Sequence, residues 1–345
     1  MTAQLHEVST SDNFLWNGVV TTECGRLFAS MPGWTGPTPG VVEILKDGSW
    51  KPFPGNEWNN WSGQGDSLKH FVDVNSIFND GRGSLWVLDA AAPDFSDAIE
   101  GAVKLVELDI TTGETRRTLA FRPEDAHAGT RLAHIRFWKH YAIMAESREG
   151  SFYVIDLRDN SYRRILAGHP LMRCHAEDVP VIEGRKVTLQ NGQPMYIHND
   201  LLEIHQNNQT LLFMCLFGAR IFQVDLNLIT DFARSEDEIA AGVSVYKEIG
   251  TWIAGMCRDK AGNIYLSDAE NNGISVMNPA GESTPPSSGM RVLSGPSPFP
   301  SARTAAFIFR PLSLTASLCS RVERTRYNSP GLFTAIPSDY ALRYV

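Results

Sequence analysis

Along most of the chain, apolar and polar positions alternate in short runs bounded by turn residues. GRLFASMP (25–32), GSLWVLDAAAP (83–93) and GNIYLSDAENNG (262–273) each place a turn before an apolar strand. YAIMAES (141–147) and QTLLFMCLFG (209–218) are degenerate copies, and the copies stand about 50 to 70 residues apart. A second alternating strand follows each copy after a short loop: VVEILKDG, KLVELDITTG, FYVIDLRDN, IFQVDLNL and ISVMNPAG. Alternation with period two, punctuated by Gly, Asn, Asp and Pro, is the pattern of strands joined by hairpins. A meander of this kind has two apolar faces and cannot bury both alone, so the copies are expected to pack radially as blades of a β-propeller. A sandwich of unrelated strands would also be rich in turns, but would not repeat one order of segments five times. The predicted class is therefore all-β, a propeller of four-stranded blades, with blades one to five in residues 1–282.

Two interruptions are predicted. In SEDEIAA, Ser235 stands three residues before Glu238, the spacing of a capping box, so a short helix is expected within blade four, around Asp231 to Ala241. Arg173 to Asn199 reads as a long loop carrying one extra hairpin, and long loops often cover ligand sites.

From Ser283 the pattern stops. Residues 283–345 hold no Lys, seven Arg and two acidic residues, with many Ser and Pro. Three readings stay open: a divergent, irregular sixth blade with RTAAFIFRPLSLTASL as two strands, an appendage on a five-bladed body, or an aberrant tail from a shifted reading frame.

Composition adds limits. The 345 residues include 43% hydrophobic and 20% charged positions, enough for a large core, and carry a formal charge of −8. Nucleic-acid or anionic-membrane surfaces need clustered Lys and Arg, so neither partner is expected and a small-molecule substrate fits better. Oligomeric state is left open. The first residues lack a basic segment followed by an apolar one, and no stretch approaches a membrane span, so a cytoplasmic location is expected. The sequons at Asn60 and Asn208 then carry little weight. Five widely spaced cysteines (Cys24, Cys174, Cys215, Cys257, Cys319) read as buried free thiols.

In a propeller the innermost strands converge on the axis. Ten residues before Leu27, Leu85 and Ile264 stand Asn17, Asn75 and Ala254. Allowing one or two residues for altered turns, His134 and Asp200 are the equivalents in the degenerate blades, with His198, Asn199 and Met256 close by. Asp200, His134 and His198 are the candidate catalytic groups, because a carboxylate beside an imidazole can move protons or fix a tautomer. Asn17, Asn75, Asn199, Met256 and the loop tryptophans Trp34 and Trp58 are candidate substrate contacts. Each also has a structural reading: Asn caps turns, a histidine between apolar neighbours packs in a core, and loop tryptophans form lids or walls. His127, His175 and Glu177 are lesser candidates in charged loops. No GxSxG, HExxH, P-loop or GxGxxG pattern is present. Calcium takes six to eight oxygen ligands, and this ring offers one carboxylate, so no metal and no cofactor are expected.

FVDVNSIFNDGRGSLWVLDAAAP (71–93) resembles the signature region of the major royal jelly protein and Yellow family. GNEWNNW, YRRILAGHP and GMCRDKAGNIYLSDAENNGI resemble microbial members related to dopachrome tautomerase, and the likeness extends over residues 12 to 282. The resemblance implies six blades. It also implies a broad range of function: dopachrome-converting enzymes, secreted ligand binders, and related fungal cyclases and hetero-Diels–Alder catalysts. Related lactonase propellers carry Glu where Asn17 stands, and many microbial relatives carry Asp where Ala254 stands, which weakens a metal site. Fold kinship does not fix the reaction. The expectation is a metal-independent isomerase or cyclase acting on a small organic metabolite, in secondary-metabolite biosynthesis. The alternatives are a lactonase-like metal-dependent hydrolase and a non-catalytic ligand-binding propeller.

Overall fold

The computed structural model describes residues 7–11, 16–33, 38–93, 97–175, 178–182, 185–189, 193–271, 273–284, 304–307 and 342–344. After β1 (Glu7–Ser11), the chain lays down three separate four-stranded antiparallel meanders. Blade one is β2 (Val19–Thr21), β3 (Leu27–Ser30), β4 (Val41–Ile44) and β5 (Trp50–Pro52). Blade two is β6 (Val74–Asn79), β7 (Ser84–Asp89), β8 (Lys104–Asp109) and β9 (Thr115–Ala120). Blade three is β10 (Leu132–Trp138), β11 (Tyr141–Glu146), β12 (Ser151–Asp156) and β13 (Tyr162–Ile165). The predicted hairpin follows within the long loop as β14 (Val181–Ile182) and β15 (Arg185–Leu189).

A seven-stranded sheet comes next: β16 (Asn199–Ile204), β17 (Thr210–Cys215), β18 (Gly218–Asp225), β19 (Ser244–Arg258), β20 (Ile264–Asp268), β21 (Gly273–Met277) and β22 (Ser283–Thr284). It is two blades sharing one strand. The first part of β19 pairs with β18 as the outer strand of blade four, and Ile253–Arg258 pairs with β20 as the inner strand of blade five. Gly250, at φ +77°, lies where the β18–β19 register jumps between Gly218↔Ile253 and Arg220↔Glu248, a conformation that glycine adopts without strain.

Between β18 and β19 lie helices α1 (Leu226–Thr230) and α2 (Glu236–Ala241). The predicted capping box is formed: the Ser235 side chain accepts the Glu238 N–H while the Glu238 carboxylate accepts the Ser235 N–H. Among the described residues, no helix is long and apolar enough to cross a membrane.

The blades stack face to face, so each junction is an apolar layer. Phe28 and Val41 meet Ile77 and Leu85 between blades one and two. Trp86 and Leu88 meet Ile135 and Met144 between two and three. Phe152 and Ile143 meet Phe213 and Leu202 between three and four, and Leu201 and Met214 meet Met256 and Leu266 between four and five. The chain is thus an all-β propeller with five blades in the described residues.

Two strands of the tail are described. β23 (Thr304–Phe307) pairs antiparallel with β1, and β24 (Leu342–Tyr344) pairs with β15. β23 falls in the RTAAFIFRPLSLTASL segment expected to supply strands. The remainder of that segment and most of 283–345 lie outside the described residues, as does a sixth blade.

Candidate functional site

The inner strands β2, β6, β10, β16 and the end of β19 succeed one another around the axis, and four of them carry a bulge near their first residues. The ladder skips between Val74 and Ser76, Leu132 and Ile135, Asn199 and Leu201, and Ile253 and Gly255. A bulge inserts one unpaired residue and re-aims the side chains around it. The skipped residues are Asn75, Asp200 and Ala254, three of the ring positions counted from the sequence. Blade three differs by one place. There Leu132 opposes Glu146 as Val74 opposes Asp89, so Ala133 is the equivalent of Asn75 and His134 is the next residue along.

Two of the expected contacts tie blades together. The Asn17 amide donates to the Asn75 carbonyl at 2.6 Å and to its side-chain oxygen at 2.7 Å, and the Asn75 amide donates to the Leu132 carbonyl at 2.9 Å. His134, also buried, accepts the Leu202 N–H on Nδ1 at 3.3 Å and bridges blades three and four. Met256 is fully buried in the layer between blades four and five, and its carbonyl accepts from Arg136. Trp58 stacks on Phe71 at 4.8 Å and donates to Thr115 Oγ1 at 2.8 Å. Its ring is core between blades one and two rather than a ligand wall. Trp34 and Glu177 lie outside the described residues. His127 is at the surface, 3.6 Å from Glu149.

The polar groups gather at blade four. Asp200 is 2% exposed and Asn199 1%. The Asn199 amide donates to the Ser151 carbonyl at 2.7 Å, while its Oδ1 has no hydrogen-bond partner among the described residues. His198 accepts the Cys174 N–H on Nδ1 at 3.1 Å, which puts its proton on Nε2 in the neutral ring. The extra hairpin reaches this end of the molecule, where Val187 packs with Met195, Phe217 and Ala269 and against Ala254 of the ring. Among the described residues, no group of three or more His, Cys, Asp or Glu side chains is arranged to hold a metal ion.

The sequence reading missed the thiols. Cys174 and Cys215 act on each other's ionisation: the Cys174 thiol is lowered to about 6, first by Cys215 and then, against burial, by His198. Cys215 is pushed up by its thiol neighbour and by burial. Asp178 opposes ionisation of both, and Asp200 that of Cys215. Alkylation of Cys174 by iodoacetamide is therefore expected to rise with pH to half its maximum near 6, and to be nearly pH-independent from 7 to 9. An ordinary thiol would still be gaining rate over that range. Rates measured peptide by peptide check this.

A cleft of about 540 Å³ lies at the far end of β10, lined by Trp138, Tyr141, Arg158 and Phe232 among others. It holds none of the ring residues.

The family model described as major royal jelly protein matches residues 73–290. A search of curated proteins returned no significant match. Among solved structures, a putative gluconolactonase has a TM-score of 0.49 at 12% identity, covering 81% of this chain and 80% of that one. Virginiamycin B lyase from Staphylococcus aureus has a TM-score of 0.45 at 12% identity, covering 81% and 72%. Regucalcin, a calcium-binding protein from Agrobacterium tumefaciens, has a TM-score of 0.47 at 11% identity, covering 82% and 77%. Likenesses at this level carry no information about reaction.

Proposed function

The chain belongs to the major royal jelly protein family, and from that premise we propose that it is a metal-independent isomerase or cyclase acting on a small organic metabolite at the blade-four end of the inner ring. The observation that supports this reading is the burial of two consecutive polar residues at the blade-four bulge, Asp200 and Asn199, the latter with an Oδ1 that lacks a partner among the described residues. A buried carboxylate next to an unsatisfied acceptor is a place where a ligand donor and a proton transfer can both be accommodated. In this reading Asp200 moves the proton, His134 and His198 assist, and the surrounding apolar blades hold the substrate in a reactive shape. The ring positions Asn17, Asn75, Ala133 and Ala254 add no second carboxylate, which favours this over a metal-dependent hydrolase. A role in secondary-metabolite biosynthesis is part of the same proposal.

Isomerisation and cyclisation conserve mass. The EDTA-treated protein, incubated with a metabolite extract of its source, is expected to move one metabolite to a new chromatographic position at unchanged mass. Asp200→Asn should slow this by about 10²–10⁴-fold, the usual contribution of a positioned acid or base. Gain of water that requires added calcium would instead identify a hydrolase. Retention of a metabolite without conversion would identify a binding protein.

A further inference from the structure

The second strand of a blade ends opposite the residue that precedes the bulge, and that position has a recurring task. In blade two it is Asp89, which accepts the Val72 and Asp73 N–H groups at 2.8 and 2.9 Å. In blade three it is Glu146, which accepts the Arg131 N–H at 3.1 Å. In blade five it is Asp268, which accepts the Thr251 hydroxyl at 2.7 Å. Each carboxylate pins the chain just before its inner strand. In blade four the position is Cys215, opposite Asn199.

A thiol is a poor substitute for a carboxylate as a backbone acceptor. The segment before β16 is held instead from the long loop. The Ile197 carbonyl receives both the Leu216 N–H at 3.2 Å and the Cys174 S–H at 3.2 Å, while the Cys174 N–H goes to His198. One carbonyl shared by Cys174 and the residue after Cys215 brings the long loop to the end of β17, and each of the two thiols acts on the ionisation of the other. Cys215 is buried and Cys174 partly exposed, so only one of them is open to a reagent. The imidazole of His198 accepts the Cys174 N–H, and the Tyr196 ring stacks on it with centroids 6.5 Å apart.

We propose that Cys174 and Cys215 form a redox-active dithiol, in which Cys174 attacks a low-molecular-weight disulfide and Cys215 resolves the product as an internal Cys174–Cys215 bond. In the first step a bond forms from the Cys174 sulfur to one sulfur of the disulfide, and the other leaves as a thiolate. In the second, the Cys215 sulfur bonds to Cys174, its proton goes to the departing thiolate, and the mixed disulfide breaks. The protein loses two electrons and two protons, and the disulfide becomes two thiols. The bond would replace the missing carboxylate clamp and fasten the long loop to the end of β17. None of this depends on the ring being catalytic.

The test uses the full chain with Cys24→Ser and Cys319→Ser, incubated with glutathione disulfide, blocked with iodoacetamide, digested and mapped by mass spectrometry. The expected product is the Cys174–Cys215 cross-linked peptide. Cys215→Ser should trap glutathione on Cys174, and Cys174→Ser should leave Cys215 unmodified. The unsubstituted chain, carried through the same mapping, gives the cross-link independently of how well any variant folds. Absence of the cross-link across the range of glutathione potentials overturns the proposal. So does glutathione on Cys215 in Cys174→Ser at the rate seen for Cys174.

Discussion

Lys104→Met is expected to lower the free energy of unfolding by about 3–5 kcal/mol, the cost of leaving one partner of a buried ion pair without the other. Lys104 Nζ lies 2.6 Å from Asp89 Oδ2, and both side chains are 0% exposed. The pair sits at the start of β8 and the end of β7, next to the inner ring, where water cannot take the place of the ammonium. Asp89 also accepts the N–H groups of Val72, Asp73 and Ala91. For that reason, replacing both residues, as Lys104→Met with Asp89→Leu, should not restore stability. It removes the stranded charge but orphans three buried donors, each at about 1–3 kcal/mol. Urea titration followed by far-ultraviolet circular dichroism measures both effects. A loss below about 1 kcal/mol in the single variant would mean that the junction between blades two and three relaxes enough to admit water.

The blades were legible in the sequence because each repeats the same turn, the same strand and the same closing strand, and local alternation survives even in the degenerate copies. The bulges of the inner strands were legible in part. Counting ten residues back from Leu85 and Ile264 lands on the bulge positions Asn75 and Ala254. In blade three the count is ambiguous by one, because Ala133 and His134 together oppose a single residue and spacing alone does not say which is extra. Trp58 was illegible for another reason: Phe71 and Thr115, which fix it in the core, come from elsewhere in the chain. The thiol pair had a signal that went unused. SLWVLD, YAIMAE and IYLSD end in carboxylates, and TLLFMC ends in cysteine at the same register position. Its partner Cys174 lies in a loop with no periodicity, so no pattern could have joined the two.

The second large effect is expected at the inner strands of blades three and four, beyond their bulges. Arg136 Nη2 lies 3.0 Å from Glu203 Oε2, both side chains are almost wholly buried, and the same guanidinium reaches the Met256 carbonyl and covers the Phe78 ring at 5.3 Å. One ion pair thus touches blades two, three, four and five. Arg136→Met should cost about 3–5 kcal/mol by stranding the Glu203 carboxylate. Here, unlike at Asp89, a second change should restore most of the loss. Glu203→Gln in the same chain removes the charge and keeps a carbonyl that can accept the Ile204 or Arg258 N–H now bound by the carboxylate. A double variant recovering more than half of the stability lost by Arg136→Met fits a pair retained for its geometry rather than for net stabilisation. A double variant no more stable than the single one would show that the guanidinium contacts to Met256 and Phe78, and not the neutralised charge, hold the inner strands together.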